Sequence, residues 1–269
     1  MLLSLNGVRF INKKTYAICY IENFSEDLKT LIRSELSTIC HGVSKVSRGR
    51  KRYNYKNTLK SFLERYETKS DETKVGMIGE LLTHVIIIRF LDNFNIVSPF
   101  FNMEEKSITK GFDIILYSKN NHEIWITEVK SGEIHKGKDS NSTNKELLNT
   151  AKLNLKNRLN QNEISLWDNA INKATIVLES FTDTKEAVLE ILEEICEEVI
   201  EERAKSEDKN VILVTCLFAN LNDEIKEQVL NDFHITTLEE KLFNKLFVLS
   251  LQKNTYQKIY QFLKDEAKI

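Results

Sequence analysis

Glu128 and Lys130 stand two residues apart in the run Glu123-Ile124-Trp125-Ile126-Thr127-Glu128-Val129-Lys130, whose β-branched and aromatic content predicts a strand. Side chains alternate across a strand, so this acid and this base share one face. Upstream, Gly111-Phe112-Asp113 opens a second apolar run that continues to Tyr117, and a short polar turn over residues 118–122 joins the two into a hairpin. Asp113 then faces the Glu128 and Lys130 pair from the neighbouring strand. Hydrolysis of a phosphodiester needs a metal that activates water, stabilisation of the developing charge, and groups that hold both in place. Mg2+ (or Mn2+) takes oxygen ligands and retains several waters, so the carboxylates of Asp113 and Glu128 with the backbone carbonyl of Val129 make a sufficient donor set. Lys130 supplies a compact charge for the attacking water or the phosphate. The competing reading of the same residues is a solvated ion pair of the kind surface strands carry.

Three features favour the site. Asp113 interrupts an otherwise apolar strand. Glu128 and Lys130 close a strand that is apolar on both faces before them. Glu80 is embedded in a predicted helix with Met77, Ile78, Leu81, Leu82, Val85, Ile86 and Phe90, capped at Asp71 or Thr73. An unpaired charge on a buried helix is expensive, so an acid there implies a partner, and Glu80 is placed to reach the same metal or a second one. His84 follows one turn later on the same helix face. A lone His on an apolar helix is more often a core residue than a ligand, and this spacing suits support of the Glu80 carboxylate rather than catalysis.

The surrounding elements are legible in outline. Residues 15–21 read as a strand, and Ser25 caps an amphipathic helix carrying Leu28, Leu31, Ile32, Leu36 and Ile39 that stops at Gly42. The next stretch is basic, with Lys45, Arg48, Arg50, Lys51, Arg52, Lys56 and Lys60 interleaved with Tyr53 and Tyr55 and no acid among them. It suits either a DNA backbone, with the tyrosines stacking on bases, or a solvated loop that docks an acidic partner. After a polar loop, residues 145–159 and 164–180 read as helices. Asp183 and Glu186 pattern a capping box for a further helix, with Val188, Ile191, Leu192, Ile195 and Val199 on one stripe. Its other face, Glu190, Glu193, Glu194, Glu197, Glu198, Glu201 and Glu202, reads as solvated and would repel DNA. Residues 211–217 and 246–251 read as buried strands, with a closing helix from Thr255.

One proline and eight glycines in 269 residues leave little room for linkers or for an all-β fold rich in tight turns. Cys19, Cys40, Cys196 and Cys216 are scattered without metal-type spacing, so reduced thiols are expected rather than disulfides or zinc. No basic region precedes an apolar run at the N-terminus, and apolar runs such as residues 85–88 are far too short to span a bilayer. A soluble, cytoplasmic protein with no membrane partner is the expectation. The net charge of −2 does not decide for or against nucleic acid, because local patches matter more than the sum.

Gly79-Glu80-x-x-x-His84, then Lys110-Gly111-Phe112-Asp113, then Trp125-Ile126-Thr127-Glu128-Val129-Lys130-Ser131-Gly132 resemble the HamA subunit of the Hachiman anti-phage defence system. That family looks like a divergent branch of the PD-(D/E)xK nuclease superfamily. The resemblance implies a metal-dependent DNase that partners a superfamily 2 helicase, HamB, and degrades DNA on infection. It places the superfamily's helix acid on Glu80, its metal Asp on Asp113 and its (D/E)xK pair on Glu128 and Lys130. Phe112 stands where the name-giving Pro would precede the Asp.

The expected fold is α/β, a restriction-endonuclease-like mixed sheet flanked by helices with a helix-rich C-terminal half. Residues 1–55 are expected to form a strand-helix extension with the basic segment, and residues 56–269 the nuclease-like domain. The alternatives are a catalytically inactive DNA- or helicase-binding regulatory subunit and a stand-alone restriction-type enzyme.

Overall fold

A computed structural model describes residues 4–101 and 111–268; Lys110, part of the motif above, lies outside the described residues. The strands are Val8–Asn12 (β1), Tyr16–Ile21 (β2), Phe94–Ile96 (β3), Ile114–Ser118 (β4), Glu123–Glu133 (β5), Asn210–Phe218 (β6) and Lys245–Lys253 (β7). The helices are Glu26–His41 (α1), Val43–Val46 (α2), Tyr55–Glu67 (α3), Asp71–Phe90 (α4), Ser140–Leu159 (α5), Ile164–Val177 (α6), Thr182–Ile200 (α7), Glu227–Glu239 (α8) and Gln257–Glu266 (α9).

All of these strands join one mixed sheet in the order β1-β2-β7-β6-β5-β4-β3. β2, β7, β6 and β5 run parallel at its centre, with antiparallel pairs at both edges. Strands covered on both faces must be apolar on both faces. The runs Val211-Ile212-Leu213-Val214 and Leu246-Phe247-Val248-Leu249 meet that demand, and this is why they were readable without a helical period. One core, with α5, α6, α7 and α8, covers one face through Leu148, Trp167, Leu192 and Phe233. The other, with α1, α3, α4 and α9, covers the opposite face through Leu36, Phe62, Leu82 and Ile259. The mixed sheet between helical layers is the α/β class expected. The strand of residues 15–21 adds to this sheet beside β7, with β1 outside it.

Local chemistry moved several boundaries. The α4 cap is Ser70, whose hydroxyl accepts the Thr73 N–H, rather than Asp71 or Thr73. α5 starts at Ser140 because Asp139 accepts the Ser142 N–H at 2.7 Å, which converts part of the expected loop into helix. The capping box at Asp183 does not form: α7 starts at Thr182 without a side-chain cap, and Asp183 sits in its first turn, where an acid favours the helix dipole. β1, β3 and α8 were not legible. β3 has only three residues, and the buried stripe of α8 includes His234 and Thr237, so its apolar period is thin.

A buried polar row crosses the sheet beside β5. Lys130, Thr215 and Ser250 are register neighbours on β5, β6 and β7. Asn144 of α5 is buried over them: its Oδ1 accepts from the hydroxyls of Thr215 and Ser250, and its amide donates to Ser250 at 3.1 Å. Buried polar groups demand partners, so this row pins α5 to one position over the sheet.

Candidate functional site

The β4–β5 ladder runs from Ser118↔Glu123 to Ile114↔Thr127. One step further, the same register sets Asp113 opposite Glu128. β4 has ended at that step, and the Asp113 side chain takes over the ladder: its Oδ2 accepts the Val129 N–H at 2.8 Å. The N–H and C=O of one strand residue point to the same edge, so the Val129 carbonyl is turned toward the edge that Asp113 occupies. Glu128 is fully buried. Its Oε1 accepts from Lys130 Nζ at 2.7 Å and its Oε2 from Arg158 Nη1 at 3.1 Å. The same Nη1 donates to the Gly111 carbonyl at 2.9 Å, two residues from Asp113.

Glu128 and Lys130 have the strand parity of Ile124 and Ile126 and so point into the layer of α5, α6 and α7. Glu80 belongs to α4 on the other face. The two layers meet here because β4 stops at Ile114 while β5 runs on to Glu133. Across that edge Glu80 interacts with Asp113, Glu128 and Lys130, and with Lys173 of α6.

The charges are crowded. Burial, followed by the Asp113 charge, holds the Glu80 carboxyl well above the usual carboxylate range. Burial and the Glu128 charge push Asp113 up to about 6, against the downward pull of the Val129 N–H. Burial lowers the Lys173 ammonium, while Glu80 and Asp113 pull it the other way. Glu80 and Asp113 are enclosed by protein yet each keeps a solvent-facing fraction. Like charges gathered at a partly open edge are the arrangement that a cation relieves.

The donor set limits which cation would fit. Among the described residues, no three His, Cys, Asp or Glu side chains gather into a ready cage for a metal ion. A closed zinc-type site is therefore not built. Asp113, Glu128 and the Val129 carbonyl make a two-carboxylate set of hard oxygen donors, which fits a cation that keeps several of its waters. Glu80 stands close enough to act on that set electrostatically without completing a three-carboxylate cage.

His84 does not support Glu80 in the way its spacing suggested. It is fully buried against Phe100, and neither ring nitrogen has a hydrogen-bond partner. The basic segment is folded rather than a bare loop. Lys45 lies in α2, Arg48 and Arg50 in the following loop, and Lys51 and Arg52 in a short 3-10 turn, Lys51–Tyr53. Arg48, Arg50, Lys51 and Arg52 are exposed, and Arg48 pairs with Glu179. Ser44 ties this segment to α6, the helix of Lys173, by donating to the Val177 carbonyl at 2.6 Å. Tyr55 is half-buried and donates to Glu266, so its ring is committed to the fold, whereas Tyr53 meets His41 edge to face beside an open concavity with Arg48 and Arg50. The glutamates of α7 face solvent, apart from Glu198, which pairs with Lys209.

Arg158 and Lys173 were missed in the sequence, although each carries the signal that revealed Glu80. Arg158 continues the apolar stripe Leu148, Ala151, Leu155 of α5, and Lys173 interrupts the stripe Leu166, Ala170, Val177 of α6. A cation on an inward stripe needs a partner for the same reason that an acid does.

No curated protein matches the chain. The sequence model of a family described as HamA matches residues 5–267.

Proposed function

This chain belongs to the HamA family, which implies a role in anti-phage defence, and from that premise we propose that it is a Mg2+-dependent deoxyribonuclease working with a superfamily 2 helicase. The reading rests on one relationship above the others: Asp113 in register opposite Glu128, with Lys130 bonded to Glu128 and all three at the end of a strand pair. Asp113, Glu128 and the Val129 carbonyl would hold Mg2+ (or Mn2+), which when bound supplies an activated water and stabilises charge on the phosphate. Lys130 orients Glu128 through their 2.7 Å bond and presents its ammonium to the incoming water or phosphate. Glu80, whose ionisation a bound cation would favour, would then add negative potential from the opposite layer. The basic segment from Lys45 to Arg52 tracks the phosphate backbone at the C-terminal end of α6, one turn beyond Lys173. The helicase partner rests on the family resemblance and not on a surface feature.

The test is cleavage of plasmid and oligonucleotide DNA, with and without the helicase, by wild type and by a Glu128→Gln, Lys130→Met double variant. Metal-dependent cleavage by wild type alone supports the reading. Equal cleavage by the double variant overturns it. If neither protein cleaves yet both alter the helicase's ATPase rate, the chain is a regulatory subunit instead.

A further inference from the structure

Glu128 is the most buried acid of the site, and both of its oxygens are engaged, Oε1 by Lys130 and Oε2 by Arg158. Arg158 also holds the Gly111 carbonyl, so one guanidinium spans the strand end that carries Asp113 and the strand that carries Glu128. Lys173 acts on Glu80 and Asp113 from α6. Its Nζ lies against Gly111, where an added Cβ would stand 3.4 Å from it. Acids and cations are thus equal in number: Glu80, Asp113 and Glu128 against Lys130, Arg158 and Lys173. A divalent cation entering this set leaves an excess of positive charge, which the successive phosphates of a nucleic-acid backbone are suited to offset.

We infer that Arg158 and Lys173 are internal counter-ions of the site: with no divalent cation bound, Arg158 holds Glu128 and Lys173 lies against Gly111 beside it, and both turn to the phosphate of the nucleic acid when a cation is bound. The inference rests on the metal-dependent reading above. Arg158 already uses one lone pair of Oε2 and offsets the negative charge that a metal would meet there, so guanidinium and metal compete for the charge of Glu128. A guanidinium has five N–H donors, more than its two contacts here use, and its planar fork matches phosphate as well as carboxylate. Metal and DNA therefore bind with positive coupling, each favouring the state that accepts the other. Arg158 is carried by a helix that the Asn144 row pins to the sheet, so its release is a side-chain motion and not a helix motion.

Calorimetric titration of the full-length, metal-free protein with Mn2+ alone, without DNA, tests the first half. Arg158→Gln is expected to bind Mn2+ roughly ten- to hundredfold more tightly than wild type, the range set by one hydrogen bond to a charged group. Lys173→Met shifts the affinity in the same direction. The second half is read by the anisotropy of a labelled DNA duplex in Ca2+, where both variants bind DNA more weakly than wild type. Opposite signs in the two arms are the signature, because a merely structural role or a folding defect weakens both. Mn2+ binding by wild type that is unchanged or weaker in both variants overturns the counter-ion inference and leaves the metal reading standing. No binding by wild type or variants, matching an Asp113→Asn, Glu128→Gln control, overturns the metal reading and this inference with it.

Discussion

Gly79 on α4 approaches Ser131 on β5 so closely that a Cβ at position 79 would lie 1.9 Å from the Ser131 Oγ and 3.0 Å from the Cβ of Cys216. The helix can touch the sheet here only because residue 79 has no side chain. The next residue is Glu80, so this close approach sets how far that carboxylate reaches toward Asp113.

Gly79→Ala is accordingly expected to push α4 off β5, costing about 1–3 kcal/mol by overpacking even though alanine favours the helix. DNA cleavage should fall further than stability does, because Glu80 moves with the helix. Urea denaturation alongside the cleavage assay checks both, and a stable, fully active variant would show that the close approach does not position Glu80.

Glu128 calls for a careful choice of substitution. Glu128→Ala leaves Lys130 and Arg158 without their shared partner and is expected to destabilise the fold by about 3 kcal/mol. Glu128→Gln keeps one acceptor at nearly the same volume, and about 1–2 kcal/mol is expected. Both should abolish cleavage. Comparing the two separates loss of chemistry from loss of fold.

Asp113 is crowded by Glu128 and by burial. Asp113→Asn removes that charge and retains an acceptor for the Val129 N–H, so the metal-free variant should be more stable than wild type by about 1 kcal/mol. Mg2+ should then raise the melting midpoint of wild type and not of the variant. A variant that melts below metal-free wild type would contradict the crowding.

Two neutral imidazoles make the fold acid-labile. Burial holds His84 down at about 3, and burial aided by the charges of Lys45, Arg52 and Arg65 holds His41 at about 4. The unfolded chain protonates both near 6.5, so below that pH it binds more protons than the native state does. The contribution of these two histidines is fully present above about 6.5 and is lost as pH falls toward 3–4, by several kcal/mol in all. Urea midpoints between neutral and mildly acid pH measure the slope, which His84→Leu should make shallower.

Arg50 and Lys51 are exposed. Their double replacement by Gln should weaken DNA binding equally for all sequences. It should also reduce the slope of log affinity against log salt by about 2, near 0.9 for each phosphate no longer neutralised. Cleavage of saturating DNA should be untouched. An unchanged slope would assign this segment to a protein partner instead.

The hairpin of β4 and β5, the α4 helix with its embedded Glu80, and the buried strands β6 and β7 were all readable, because each shows a period or an apolar run that local sequence suffices to define. So were Asp113, Glu128 and Lys130 as a group, since hairpin pairing follows from a short turn. Arg158 and Lys173 were not, although their stripes marked them as inward cations, because nothing local says which acid an inward cation will meet. His84 is the core residue that its apolar helix suggested, packed against Phe100, while the support of Glu80 that its helical spacing also suggested is absent, since neither ring nitrogen has a partner.

What the sequence determined by itself is the chemistry on offer: two carboxylates and a lysine at a strand end, and an acid on the helix before them. Those follow from side-chain alternation and helical period, which are properties of neighbours in the chain. The tertiary structure decided where β4 stops relative to β5, which opens an edge where both helical layers reach the same acids. It also decided that Arg158 occupies Glu128. Long-range register and the packing of one layer over another depend on residues scores of positions apart, and no local pattern encodes which of them will meet.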